Sequence, residues 1–168
     1  MIRKATYSDA RGIAEVHISS WRSTYREIVP NEYLDTLDLK KGIENWQQIL
    51  MGEQNQGATF VATESDGIVG FASVGASREP GLEFQGEIYA IYLLDSFQKR
   101  GIGKELFITS MRQLNSFGYE SQILWVLRDN PGINFYLHMG GQLITEKTDN
   151  IGGKDLRECA IGWNIADW

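Results

Sequence analysis

Apolar positions recur along the chain at two spacings, and the switches between them mark out its elements. Ile2 to Ala5 reads as a short first strand. Ile13, Val16 and Ser20 then fall on adjacent turns of a helix, with Ser8 or Asp9 placed to cap its start. Trp21 to Pro30 is aromatic and polar by turns and ends at Val29-Pro30. A second helical region spans about Asn31 to Met51 with an interruption near Asp38, and Gly52 to Gly57 reads as a loop. Thr59 to Thr63 and Ile68 to Val74 read as strands joined in a hairpin by Ser65-Asp66-Gly67. A loop from Arg78 to Gly86 centres on Pro80-Gly81.

The β-rich run Ile88 to Leu94 then feeds a polar turn and an amphipathic helix that stops at Gly118. Ile123 to Leu127 is almost wholly apolar, the pattern of a strand buried on both faces. Asp129-Asn130-Pro131 opens a helix carrying Phe135, Tyr136 and Met139 and ending at Gly140-Gly141. Gln142 to Glu146 and Leu156 to Ile165 read as closing strands. The predicted order is strand, two helices, three strands, helix, strand, helix, two strands: a single α/β domain over residues 1–168.

Composition narrows the function classes. A net charge of −6 argues against nucleic acid or an anionic membrane as the main partner, and is compatible with a cationic substrate. The single cysteine, Cys159, cannot form an internal disulfide, which fits a cytoplasmic protein. The opening MIRKATYSDARG is too polar for a secretion signal, and no apolar run reaches membrane-spanning length. His17 and His138 have no metal-ligand spacing, so no metal is expected. Cys159, in an apolar strand, reads as inert rather than nucleophilic.

The stretch with the most chemistry is Gln98-Lys99-Arg100-Gly101-Ile102-Gly103-Lys104. A strand feeding a glycine-rich turn and then a helix is an anion site, because the first helical turn has unpaired N–H groups and a favourable dipole. Glycines at 101 and 103 leave room for a phosphate to approach the backbone, and Lys99, Arg100 and Lys104 add positive charge. A Walker A loop is excluded, since Gln98 stands where its first glycine belongs and Glu105 follows Lys104. A dinucleotide fingerprint is excluded because Leu106 stands where a third small residue is needed.

What remains, Gln-x-x-Gly-x-Gly at a strand-to-helix turn, resembles the signature of the GNAT superfamily of N-acetyltransferases. That signature binds the pyrophosphate of acetyl-coenzyme A. A second segment, Asn130-Pro131-Gly132-x-x-Phe135-Tyr136-x-x-x-Gly140-Gly141, is similar to the family's Asn-Pro segment, with Gly132 where relatives often carry alanine. The resemblance covers essentially the whole chain and implies a mixed, twisted sheet flanked by helices. It also implies that Asn130 holds the pantetheine arm and that the Tyr136 hydroxyl points at the sulfur as general acid. The backbone of Ile91 and Leu93 would pair with the acetyl carbonyl and the pantetheine.

Acetyl transfer to an amine needs a base, because the acceptor is protonated near neutral pH. The resemblance points to Glu87, with Glu83, Glu146 or a water chain as alternatives. Strand alternation would put Glu87, Tyr89, Ile91 and Leu93 on one face. Trp21 and Tyr25, four apart, would share a helical face in a segment that walls the acceptor site in this family; core packing explains the spacing equally well. The resemblance thus implies an acetyl-coenzyme A-dependent N-acetyltransferase acting on a small-molecule or peptide amine, with a homodimer compatible. A coenzyme A-binding regulatory module without catalysis is the alternative.

Overall fold

The structure, a computed structural model, describes residues 1–52, 56–65 and 67–164. In chain order these residues form β1 (Ile2–Lys4), α1 (Ala10–Thr24), α2 (Asn31–Asp35), α3 (Leu39–Gly52), β2 (Gly57–Glu64), β3 (Gly67–Ala76) and β4 (Gly86–Leu93). Then come α4 (Ile102–Ser116), β5 (Ser121–Leu127), α5 (Ile133–His138), β6 (Gln142–Ile151) and β7 (Lys154–Asn164). The predicted order holds, with the second helical region split at Asp38 into α2 and α3. Asp38 makes that break, its carboxylate accepting the Lys41 N–H at 2.9 Å. Asp66 of the expected turn, residues 53–55 of the expected loop and Ile165 of the last strand lie outside the described residues.

The strands form one mixed sheet in the order β1-β2-β3-β4-β5-β7-β6. Among the described residues only the β4–β5 pair is parallel, and it is paired only at Gly86–Gln122 and Glu87–Ile123. Beyond Glu87 the two strands part, leaving a wedge whose open end lies toward Leu93 on one side and Leu127 on the other.

One face of the sheet packs against α4 and α5. Phe107, Leu106, Met111 and Leu114 of α4 meet Ile88, Leu124, Ile161 and Trp163 there, all nearly inaccessible. The other face carries α1 and α3, where Ile13, Val16 and Trp46 meet Val61 and Phe71. A third cluster joins Tyr25, Val29 and Leu34 to Leu127 and Leu156 at the open end of the wedge.

One expectation holds in position only and a second is corrected. Asp9 is the N-cap residue of α1, as expected, but its side chain makes no capping bond there. Its carboxylate accepts the Thr6 N–H at 2.8 Å and two bonds from Arg3 at 2.7 and 2.8 Å, tying β1 to the head of the helix. The single-face reading of β4 fails, because Ser73 pairs with Ala90 while Val74 pairs with Ile88. Tyr89 is the extra residue of a β-bulge, which reverses the alternation. Ile88, Ile91 and Leu93 therefore share the α4 face, and Glu87 points to the α1 face.

Candidate active site

The wedge continues into a cleft of about 680 Å³ lined from both faces of the sheet. Ser20, Ser23 and Thr24 of α1 line one side, and Asn130, Phe135 and Tyr136 line the other. Between them run Ile91, Tyr92 and Leu93 of β4 and the turn residues Gln98, Lys99, Gly101, Gly103 and Lys104.

The turn is built by its local sequence. Lys99 and Gly101 both take the left-handed region, with φ of 59° and 86°. Lys99 is the sole non-glycine residue there among those described. Alternating hand around Arg100 makes a concave run of backbone N–H groups. Gly101 is the N-cap of α4 and no side chain caps the helix, so its first-turn N–H groups remain available. A Cβ on Gly101 would meet no heavy atom within 4 Å, and one on Gly103 would only graze Leu93 at 3.9 Å. The space beside both glycines is open and can admit a phosphate. Gln98 braces the turn, its amide donating to Leu93 O at 3.3 Å and Asp95 Oδ1 at 3.1 Å. Arg100 instead lies over the Phe97 ring at 5.1 Å, and Ile102 packs into the core; neither lines the cleft.

Asn130 lines the cleft but has partners within the protein. Its Nδ2 donates to the Tyr25 hydroxyl at 3.0 Å, and its Oδ1 accepts the Gly132 N–H at 2.8 Å. Pro131 and Gly132 precede α5 rather than forming its first turn, so Gly132 carries no helix-interior penalty; it belongs to an Asx turn. Tyr136 packs against Phe107, Phe135 and Trp163 on the α4 face. Its hydroxyl has no hydrogen-bond partner among the described residues, and burial pushes its proton affinity up, with Tyr92 and Tyr25 adding to the effect. Burial also raises Tyr92 and Tyr25.

Trp21 and Tyr25 do pack together, their rings tilted at 57° with centroids 4.6 Å apart, but neither lines the cleft. Trp21 donates its indole N–H to the Tyr92 hydroxyl at 2.9 Å, so the pair holds two lining residues, Tyr92 and Asn130, in place.

Glu87 is 2% exposed and does not line the cleft. Arg78 takes both its oxygens, through Nη2 at 2.7 Å, Nε at 3.3 Å and its own backbone N–H at 2.9 Å. Glu146 lies on the α4 face with Cys159, bonded to Arg157 at 2.7 Å and paired with Arg128 at 3.3 Å. His17, stacked on Tyr92, is pushed down to about 4 by burial and is neutral at pH 7. Burial pushes the Cys159 thiol up, away from thiolate chemistry. No helix among the described residues is long and apolar enough to cross a membrane.

Reading the sequence missed Ser20 and Tyr92 as cleft residues. The only available signal was their spacing: Ser20 lies one helical turn before Thr24, and Tyr92 lies between the two β4 residues already singled out.

A profile of the acetyltransferase (GNAT) family matches residues 17–140. The chain is 37% identical over 163 residues to an uncharacterized N-acetyltransferase, YuaI, of Bacillus subtilis (strain 168), covering 96% of this chain and 91% of that one. It is 26% identical over 152 residues to a spermidine N(1)-acetyltransferase of Thermoplasma acidophilum, covering 88% and 90%. The fold superposes on the crystal structure of PaiA N-acetyltransferase from Thermoplasma acidophilum in complex with coenzyme A. The TM-score is 0.75 at 21% identity, with 98% of each chain covered. With most of its length matched by the family profile and nearly all of it by a close relative, the chain belongs to the acetyltransferase (GNAT) family.

Proposed function

We propose that the protein moves an acetyl group from acetyl-coenzyme A directly to the primary amine of a small cationic molecule. Family membership makes it an acyl-coenzyme A-dependent N-acyltransferase with acetyl-coenzyme A as co-substrate. The observation that carries the finer reading is the course of the cleft. It runs from the open N-terminus of α4 through the β4–β5 wedge to α1, so donor and acceptor can meet from opposite faces of the sheet. The net charge of −6 and the resemblance to a protein named for spermidine acetylation favour a cationic acceptor.

In this reading the turn from Gln98 to Lys104 takes the pyrophosphate, and the Lys99 and Lys104 ammonium groups balance its charge. The β4 edge freed by the wedge, at Ile91 and Leu93, offers main-chain groups to the pantetheine and the acetyl carbonyl. The remaining N–H of the Asn130 amide supports the same arm. The ammonium first gives up one proton, the neutral nitrogen attacks the acetyl carbon, the carbon–sulfur bond breaks, and nitrogen loses its second proton to solvent as the amide forms. Tyr136, a neutral phenol at working pH, donates the proton that the departing thiolate needs. Glu87 receives the amine's proton through water, which requires the exposed Arg78 side chain to release one carboxylate oxygen. A cytoplasmic location fits this chemistry, as does the single reduced cysteine.

The test is thiol release from acetyl-coenzyme A against a panel of amines, with the acetamide identified by mass. Release that depends on a small cationic amine is expected. Tight acetyl-coenzyme A binding without release for any amine would instead identify a coenzyme A-binding regulatory module.

A further inference from the structure

Glu158 lies on β7 opposite Leu127, the β5 residue at the open end of the wedge. Its neighbour Cys159 packs on the α4 face and Leu156 packs with Tyr25, so the Glu158 carboxylate faces the α1 side. It is 20% exposed, and among the described residues it accepts no hydrogen bond. Its nearest cation, Lys147 Nζ, stands 3.8 Å away, but that ammonium sits closer to Glu79, at 3.1 Å, and over the Trp125 ring at 3.9 Å. A carboxylate this far from water and this poorly paired is short of a partner. It contrasts with Glu87 and Glu146, whose oxygens are engaged by arginine.

The charges facing Glu158 are Lys147 and Asp149 of β6 and Glu79 of the β3–β4 loop. Glu79 and Glu158 thus share one ammonium, with the Asp149 charge added to theirs, a field that favours an added cation. Burial, Asp149 and Glu79 all raise the Glu158 carboxyl, while Lys147 opposes them. The Glu158 charge in turn reaches the Tyr25 and Tyr92 hydroxyls, and Tyr92 lines the cleft. A second under-satisfied group lies on the same side of the sheet. Ser20 is 3% exposed, lines the cleft, and its Oγ has no hydrogen-bond partner among the described residues.

We propose that Glu158 is the counter-ion for a second positive charge on the acceptor, and that Ser20 Oγ accepts an N–H of the same molecule. The acceptor class is therefore a diamine or longer polyamine with its charges separated by a methylene chain. One amine enters the wedge toward Tyr136 on the opposite face; the distal ammonium stays on the α1 side at Glu158. This inference rests on the acetyltransferase reading above and names its substrate class.

The experiment compares α,ω-diamines with monoamines of matched length, in wild type, Glu158→Gln, Glu158→Asp and Ser20→Ala. Calorimetric titration of each amine into the coenzyme A-loaded protein accompanies steady-state kinetics. A charge-assisted contact predicts that the wild type prefers the diamine by roughly tenfold or more in KM and affinity. Glu158→Gln should lose that preference while keeping kcat, the monoamine KM and acetyl-coenzyme A affinity; Glu158→Asp should keep part of it. Ser20→Ala should weaken diamine binding without lowering the thermal midpoint, because the lost hydroxyl has no partner among the described residues. Equal wild-type affinity for diamine and monoamine, or an undiminished preference in Glu158→Gln, overturns the inference. Because binding is read separately, a protein that binds diamines through Glu158 but transfers no acetyl group would sink the acetyltransferase reading and leave this one standing.

Discussion

Arg78 closes on both carboxylate oxygens of Glu87, which lies buried in the last pair of β4 with β5, where the wedge begins. The arginine is itself 63% exposed and lies over the Tyr89 ring at 4.2 Å. Breaking a buried pair from the arginine side strands a charge, which is more costly than neutralising both partners.

Glu87→Gln should therefore lose most activity near neutral pH and regain part of it at high pH, where solvent has deprotonated the acceptor. General-base assistance is worth about 10²–10⁴-fold, a deficit a pH–rate profile resolves easily. Arg78→Met should lower the thermal midpoint more than Glu87→Gln does. Parallel pH profiles with equal kcat in wild type and Glu87→Gln would remove the base role and leave Glu87 as Arg78's structural partner.

Gly103 offers a clean test of the phosphate cradle. Its backbone needs no positive φ, and a Cβ there meets only Leu93 at ordinary contact distance. Gly103→Leu should fold normally yet lose at least tenfold in acetyl-coenzyme A affinity by filling the space beside the first turn of α4. Gly101→Leu should lose affinity too, and also stability, because φ of 86° costs a residue with a Cβ about 1–2 kcal/mol. Calorimetry and thermal melts on both variants separate the two effects, and unchanged affinity in Gly103→Leu would count against the cradle.

Tyr136→Phe keeps the ring contacts with Phe107 and Trp163 and removes a hydroxyl with no described partner. Turnover should fall by roughly 10²-fold or more if the phenol supplies the proton, with cofactor affinity and thermal midpoint nearly unchanged. Wild-type turnover under chemistry-limited conditions would reduce Tyr136 to packing.

Two groups contribute to the acid limb of stability. His17 is pushed down to about 4 by burial, so between its ordinary value near 6.5 and 4 the unfolded chain binds a proton that the folded one excludes. Stability should decline as pH falls through that window, by up to about 3 kcal/mol. His17→Gln should flatten this part of the curve. Asp9 is held down to about 2 by the Arg3 hydrogen bonds, so its contribution is intact above the ordinary carboxylate range and vanishes as pH falls from about 4 toward 2. Asp9→Asn should remove that lower step. Denaturant midpoints measured from pH 7 to 2 check both.

By itself the sequence determined the order of the elements and the phosphate-binding turn. Both are local matters: a strand, two glycines and a helix start are written in contiguous residues, and the chemistry of the turn belongs to its backbone. The Trp21–Tyr25 contact was legible for the same reason, since four residues make about one helical turn. Tertiary structure decided the rest. A single bulged residue, Tyr89, turned Glu87 to the α1 face, and the β3–β4 hairpin delivered Arg78 to it; no periodicity encodes an inserted residue. Trp21 reached Tyr92 across 71 residues of sequence. Glu158 carried no motif at all, and only strand pairing set it between Leu127, at the end of β5, and Lys147 of β6. Contacts between distant strands depend on register and face, which are fixed when the sheet assembles against its helices.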